Sequence, residues 1–236
     1  MSKKVREGST DLEESSLYES CYGYKESNSS FRFLLVILVL VLALFSFRIY
    51  FTHSFGGVIV SGSSMSKTLY SGEELLMRRV NEKNKAERGD VIVVYVYDYP
   101  EFKYEPVSEN RKTRYLIKRL IAIEGDKVRC EDGKVEICYA GTDEFVYLDE
   151  PYAYYGKNDA FKKSYDFEEY TVQEGEVFFL GDNRSYDGSS VDSRYLEGHS
   201  RIDGLYKETD IYGVVPDWAM KYQKVLSWIF FTGESV

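Results

Sequence analysis

One stretch limits the folds open to this chain more than any other: Phe33-Leu-Leu-Val-Ile-Leu-Val-Leu-Val-Leu-Ala-Leu-Phe-Ser-Phe47, which carries no charge. Arg32 and Arg48 bracket it. With the stem of Arg48 snorkelling, the run continues through Ile49-Tyr50-Phe51 and comes close to the ~20 residues that cross a bilayer. A core helix of a soluble domain keeps one polar face, and this run has none. A removable signal peptide would start nearer the N-terminus and end at a small-residue cleavage site, and neither holds here. The expected organisation is a polar tail over 1–30, a transmembrane anchor over 31–51 and a folded domain over 52–236. Lys25 and Arg32 precede the span, with Lys3, Lys4 and Arg6 further off, and Arg48 follows it. The positive-inside bias places the N-terminus in the cytoplasm and the domain outside the cell membrane.

About 185 residues follow the span, enough for one large domain or one domain with an insertion. Aromatic residues make up 16% of the chain, 22 of them tyrosines, which supplies a core with a polar rim. The net charge of −9 argues against a nucleic-acid partner. No cluster among His53, His199, Cys21, Cys130 and Cys138 has zinc-ligand spacing, so neither a metal nor another cofactor is expected. Within the tail, Thr10 to Glu13 has the form of a capping box, but its polar composition favours disorder.

Beyond Gly57 the hydrophobic pattern turns to short strands. Val58–Val60, Glu74–Val80, Val91–Tyr97, Arg114–Ile123, Glu176–Leu180 and Ile211–Val215 each read as one. Asp98 to Lys112 is expected as a surface loop. Lys127–Cys130 and Val135–Cys138 read as a hairpin around Asp132-Gly133. That turn sets Cys130 opposite Val135, so a Cys130–Cys138 disulfide needs a bulge or a longer loop. Residues 139–170 fit a smaller sheet or a flap. Trp218 to Phe231 is too polar for a second span; it either covers one edge of the domain or rests on the membrane.

Two stretches carry chemistry. Ser61-Gly62-Ser63-Ser64-Met65 crowds hydroxyls around a glycine that permits a sharp turn. Alone, it reads as a Ser/Gly linker, because a serine is a weak nucleophile without a base. Lys118 sits inside an apolar strand beside Arg119. Neighbours in a strand face opposite ways, so one of the two can face solvent while the other faces inward or into a cleft. A lysine desolvated in an apolar cleft loses its charge readily and can act as a base. Ser-Lys pairs are a known alternative to Ser-His-Asp, which two histidines far from any motif support poorly.

Four segments in order resemble the bacterial type I signal peptidases, the membrane-anchored serine proteases that remove signal peptides. They are Ser61–Leu69, Arg88–Val93, Lys118–Asp126, and Gly181–Arg184 with Ser190–Arg194. The resemblance implies a mainly β fold: an antiparallel, barrel-like catalytic sheet with a smaller inserted β subdomain, about 127–172, after one N-terminal transmembrane helix. It implies Ser64, just before Met65, as nucleophile, Lys118 as general base and Ser190 as the residue orienting the lysine. Asp192 and Arg194 resemble the family's supporting ion pair, and Asp182 and Asn183 belong to the same wall. Gly62 stands where some members have a serine donor. Lys67 stands where many have proline. The insertion Ser185–Ser189 leaves Ser189 as an alternative to Ser190, and the segment between Arg194 and Ile211 is also long. The implied partners are preproteins carrying signal peptides, the lipid bilayer and the protein export machinery. Two other readings stay open: a self-cleaving Ser-Lys protein, and a membrane-anchored β-domain binding an extracellular partner.

Overall fold

Continuous apolarity makes the first element a helix, since only internal hydrogen bonding satisfies a backbone in hydrocarbon. In the computed structural model, which describes residues 28–96, 115–156, 165–185, 192–193 and 206–230, this is α1, Asn28–Ser54. It is three residues longer at each end than the expected anchor, because Asn28–Ser30 and Thr52–Ser54 continue its hydrogen bonding. At ~1.5 Å per residue its 27 residues reach about 40 Å, more than a ~30 Å hydrocarbon layer. Mean hydropathy reaches 2.7 over the most apolar 18-residue window within Ser29–Ser54, and none of that window is buried. Those are the features of a span rather than of a core helix. The chain divides into two compact units, Met1–Phe51 and Thr52–Val236.

The second unit is mainly β. Seven strands form one curled antiparallel sheet: β1 (Phe55–Ile59), β2 (Glu74–Arg79), β3 (Val91–Tyr95), β4 (Tyr115–Ile123), β9 (Glu176–Leu180), β10 (Tyr206–Lys207) and β11 (Ile211–Val215). Their order is β1-β2-β11-β3-β4-β9-β10. A smaller antiparallel sheet follows the order β7-β6-β5-β8, from β5 (Lys127–Glu131), β6 (Lys134–Cys138), β7 (Val146–Tyr147) and β8 (Phe167–Thr171). The tyrosine-rich 139–170 region thus supplies both outer strands of the small sheet. Two short helices, α2 (Asp217–Lys221) and α3 (Gln223–Phe230), pack on β2.

Side-chain alternation builds two cores from one strand. Val177 and Phe179 of β9 join Ile92, Val94, Leu120 and Val214 on one face of the large sheet. Phe178 and Leu180 join Val128, Val135 and Ile137 of the small sheet on the other. Each fully buried Phe or Leu in these layers contributes ~1.5–3 kcal/mol. Ile121 and Ala122 are consecutive yet share the second core. The cause is a bulge: Leu120 pairs with Phe179 and Ala122 with Phe178, so Ile121 is the extra residue.

The β5–β6 hairpin has the expected register, Cys130 opposite Val135. Asp132 and Gly133 both have positive φ, 50° and 71°, as a two-residue turn with the strands' own twist requires. Cys130 and Cys138 are both buried and are not joined in a disulfide. The expected tail features, Cys21, the 98–112 loop, Ser189, Ser190 and Arg194 lie outside the described residues.

Candidate active site

Three hydrogen bonds shape the segment after Ser64. The Ser66 N–H donates to Ser63 O at 2.9 Å, and the Thr68 and Leu69 N–H groups to Met65 O at 3.0 and 2.8 Å. Buried Met65 and Leu69 anchor this single turn in the core. Gly62, exposed at φ +91°, turns the chain into it from β1. Lys67 holds φ +84°, and its ammonium lies 4.1 Å from the centre of the Tyr154 ring.

The Gly181–Asn183 segment runs alongside. Asn183 donates its backbone N–H to Ser64 O and its side-chain amide to Ser63 O, both at 2.9 Å. Gly181 comes closer still: a Cβ there would stand 2.6 Å from Ser64 O and 3.6 Å from Ser64 Cβ.

Register then relates Ser64 to Lys118. β4 and β9 are antiparallel with Arg119 opposite Leu180. Continued one residue past the paired strands, that register sets Lys118 opposite Gly181. Directly opposed residues of such a pair point to the same face. Ser64, lying where a Gly181 side chain would be, therefore sits over the face that carries Lys118. That face also holds Leu120 and Phe179. Lys118 is 1% exposed.

Arg119 is buried too, at 8% exposure, so neither of the two faces solvent. The sheet is covered on both sides here, so the arginine needs an internal partner. It has one in Asp182, a bidentate pair at 2.8 and 2.7 Å. It also donates to Gly89 O at 2.6 Å and lies 3.9 Å from the centre of the Tyr152 ring. Burial, the largest single effect, would lower the Arg119 pKa, but the bond to Asp182 together with the charges of Asp182, Tyr152 and Asp217 outweighs it and the net shift is upward. Thr68 donates its hydroxyl to Asp182 Oδ2, the oxygen that Arg119 Nη2 also binds, at 2.5 Å. Arg88 pairs with buried Asp126 at 2.6 and 2.8 Å, and Leu120 N–H donates to Asp90 O at 2.9 Å. All four resembling segments are thus tied together through Thr68, Asp182, Arg119 and Gly89.

Arg184 and Glu150 form a further buried ion pair. Arg184, fully buried, binds Glu150 through both terminal nitrogens, Tyr155 at 3.0 Å and Gly181 O at 3.1 Å. Its pKa stands well above the ordinary value because Glu150 and two tyrosines overcome the opposing effect of burial. Burial pushes the Tyr152 phenol up as well. Asp192 is buried and accepts from the Tyr165 hydroxyl at 3.4 Å. Ser193 is pinned to Phe179 by a backbone and a side-chain hydrogen bond. Sequence reasoning missed Thr68, Glu150, Tyr152 and the Arg119–Asp182 pair. One signal was available for the last: an arginine in a strand buried on both faces requires a carboxylate. Among the described residues no group of His, Cys, Asp and Glu could hold a metal. A groove of about 450 Å³, lined by Arg79, Tyr95, Tyr115 and Tyr212 among others, contains neither Ser64 nor Lys118.

Comparison with known proteins follows this geometry. The family model described as signal peptidase, peptidase S26, matches residues 30–218. Signal peptidase I T of Bacillus subtilis (strain 168) is 32% identical over 157 residues, 63% of this chain and 70% of that protein. Signal peptidase I U of the same organism is 30% identical over 181 residues, 76% of this chain and 82% of that protein. Against signal peptidase I of Bacillus licheniformis, 30% identical, the aligned part spans 64% of that protein. A crystal structure of a signal peptidase I from Enterococcus faecalis V583 aligns over 56% of this chain and 97% of its own, with 24% identity and a TM-score of 0.34. The chain belongs to the signal peptidase family, peptidase S26.

Proposed function

We propose that this chain is a signal peptidase I: a single-pass membrane serine endopeptidase that removes signal peptides from exported preproteins. The supporting observation is Ser64 lying against Gly181, on the face of β4 that carries buried Lys118. In the proposed reaction Lys118, neutral, takes the proton of the Ser64 hydroxyl as its oxygen attacks the scissile carbonyl. The Ser64 N–H supplies part of the oxyanion hole. The Lys118 ammonium then gives its proton to the leaving amine, and an acyl-enzyme remains on Ser64. Lys118 next draws a proton from water, whose oxygen attacks the ester; the Ser64 oxygen leaves, takes that proton back from Lys118, and the signal peptide is freed as its carboxylate. Ser190 orients the lysine. Asp182, Asn183, Asp192 and Arg194 hold the supporting wall, with Gly62 and Met65 shaping the turn. The preprotein binds as an extended strand beside Ser61–Ser64, following on from β1, an edge strand of the large sheet. The N-terminus is cytoplasmic and the domain extracytoplasmic.

The test is cleavage of a preprotein bearing an Ala-x-Ala site, in detergent, by the wild type and by Ser64→Ala and Lys118→Ala. Cutting at that site by the wild type alone, with both variants folded, supports the assignment. Full activity in Lys118→Ala removes the lysine as base. A wild type inert toward several preproteins overturns the peptidase reading.

A further inference from the structure

We infer, resting on the signal peptidase reading, that Lys67 and the Tyr154 ring form a subsite for the leaving half of the substrate. It selects an acidic side chain within the first two residues of the mature protein. Lys67 comes three residues after Ser64 and is the first exposed residue beyond it, since Met65 is buried and Ser66 half-buried. Its ammonium rests 4.1 Å from the centre of the Tyr154 ring. Tyr154 is itself fixed beside the candidate nucleophile. It pairs with Asn183 in a parallel bridge, its N–H donating to Asp182 O at 2.8 Å and its carbonyl accepting from the Arg184 N–H at 2.7 Å. Asn183 in turn donates its N–H to Ser64 O at 2.9 Å. Ser64, Asn183 and Tyr154 thus lie side by side, about two strand spacings of ~4.8 Å across. The lysine side chain leaves the turn that begins at Ser64 and ends on the outermost of the three.

Position assigns the half of the substrate. The signal-peptide half takes the strand position beside Ser61–Ser64, which ends at the scissile bond. The leaving half continues beyond Ser64 at ~3.3 Å per residue, so its first two residues pass the turn that carries Lys67. Charge assigns the side chain. Among the described residues no carboxylate pairs with Lys67. Glu150 and Asp182, the carboxylates that flank Tyr154 along the chain and across the bridge, are bound to Arg184 and Arg119. An ammonium has three donors, and a ring face on one side leaves donors for a carboxylate on the other. The chain as a whole carries −9, so its long-range field repels an acidic substrate. A preference for one therefore needs a local cation, and the fold sets Lys67 beside Ser64. Proline, which stands here in many of the sequences this chain resembles, would present no charge, so the preference belongs to this chain and not to the family at large.

The test uses the full chain in a neutral detergent at low salt. The substrates are preproteins identical except for Glu, Gln or Lys at the first or second residue after an Ala-x-Ala site. At one of the two positions kcat/KM for Glu should exceed that for Gln about two- to fivefold, as an exposed ion pair supplies. Lys at that position should be the poorest of the three. The difference should lie in KM rather than kcat, because the contact is the same before and during the reaction. Raising the salt to about 1 M, where screening acts within ~3 Å, should shrink the preference. Lys67→Gln should remove it, and Lys67→Glu should reverse it in favour of lysine. Both variants keep a Cβ at φ +84°, so the turn carries the same strain as in the wild type, and thermal unfolding checks that they fold. Equal kcat/KM for Glu and Gln in the wild type overturns the subsite and leaves the peptidase reading intact. A preference that survives unchanged in Lys67→Gln also overturns it, because another group then reads the charge. A wild type that cleaves none of the preproteins overturns the peptidase reading, and the subsite with it.

Discussion

Gly181 and Ser64 are in backbone contact: a Cβ on residue 181 would stand 2.6 Å from the Ser64 carbonyl oxygen. That atom belongs to a peptide held by Asn183 and followed by a turn buried through Met65, so it has little room to yield. Gly181→Ala should therefore move Ser64 rather than be absorbed locally. Displacing a nucleophile by about 1 Å costs on the order of 100-fold in rate. The expected outcome is a loss of that size in kcat, with a stability cost of ~1–3 kcal/mol for the added methyl. Preprotein cleavage and thermal unfolding, measured on one preparation, separate the two effects. Unchanged kcat would mean that residue 181 does not position the proposed nucleophile.

The Arg119–Asp182 pair is buried and bidentate, and Thr68 shares its carboxylate. Removing one partner of such a pair leaves an uncompensated charge and costs ~3–5 kcal/mol. Asp182→Asn should lower the unfolding temperature by roughly 6–20 °C at the ~2–4 °C per kcal/mol expected for a domain of this size. Arg119→Met combined with Asp182→Leu should recover part of that loss, because two apolar side chains leave no orphaned charge. A double variant no more stable than the single one would show that the pair contributes little through charge.

Local chemistry explains what was legible in the sequence. Asp132-Gly133 between alternating strands fixed the β5–β6 register, and with it the separation of Cys130 from Cys138. Ser64 and Lys118 were singled out because each sits in a short motif. The contacts around them were not legible, because their partners are far apart in sequence. Arg119 and Asp182 are 63 residues apart, Thr68 and Asp182 114, and Arg184 and Glu150 34. With 69 acidic and basic residues in the chain, nothing local marks which pairs meet. Coverage of the large sheet on both faces decides it, and that is a tertiary fact. The same coverage buried Arg119 where alternation alone could have left it in water.

Alkaline pH should expose the burial of the tyrosines. Burial raises the pKa of Tyr152, Tyr155 and Tyr115, with the nearby Glu150 adding to the rise at Tyr152 and Tyr155. In the unfolded chain a phenol titrates near ~10. Below that pH both states hold their phenolic protons, and stability is fully present. Above it the unfolded state loses protons that the folded state keeps, so stability falls as pH rises toward the folded values. Denaturant midpoints between about pH 8 and 11 should fall along this limb. Tyr152→Phe, which cannot ionise, should flatten it. An alkaline limb as steep in the variant as in the wild type would exclude Tyr152 as a contributor.

Lys67 sets two small effects against each other. Its φ of +84° strains a residue with a Cβ, and glycine at this position would relieve ~1 kcal/mol. The same substitution removes the ammonium from the Tyr154 ring, a contact worth ~0.5–1 kcal/mol at an exposed site. Lys67→Gly should therefore leave stability within about 0.5 kcal/mol of the wild type, being the difference of the two terms. Proline gives the contrast. Its ring fixes φ near −65°, so it cannot hold this turn, and Lys67→Pro should cost more than ~1 kcal/mol. The turn begins at Ser64, so Lys67→Pro should also lower kcat, whereas Lys67→Gly should not. Chemical denaturation and single-turnover cleavage of both variants check this. A proline variant as stable and active as the wild type would show that the segment after Ser64 can adopt a second turn, with residue 67 at negative φ.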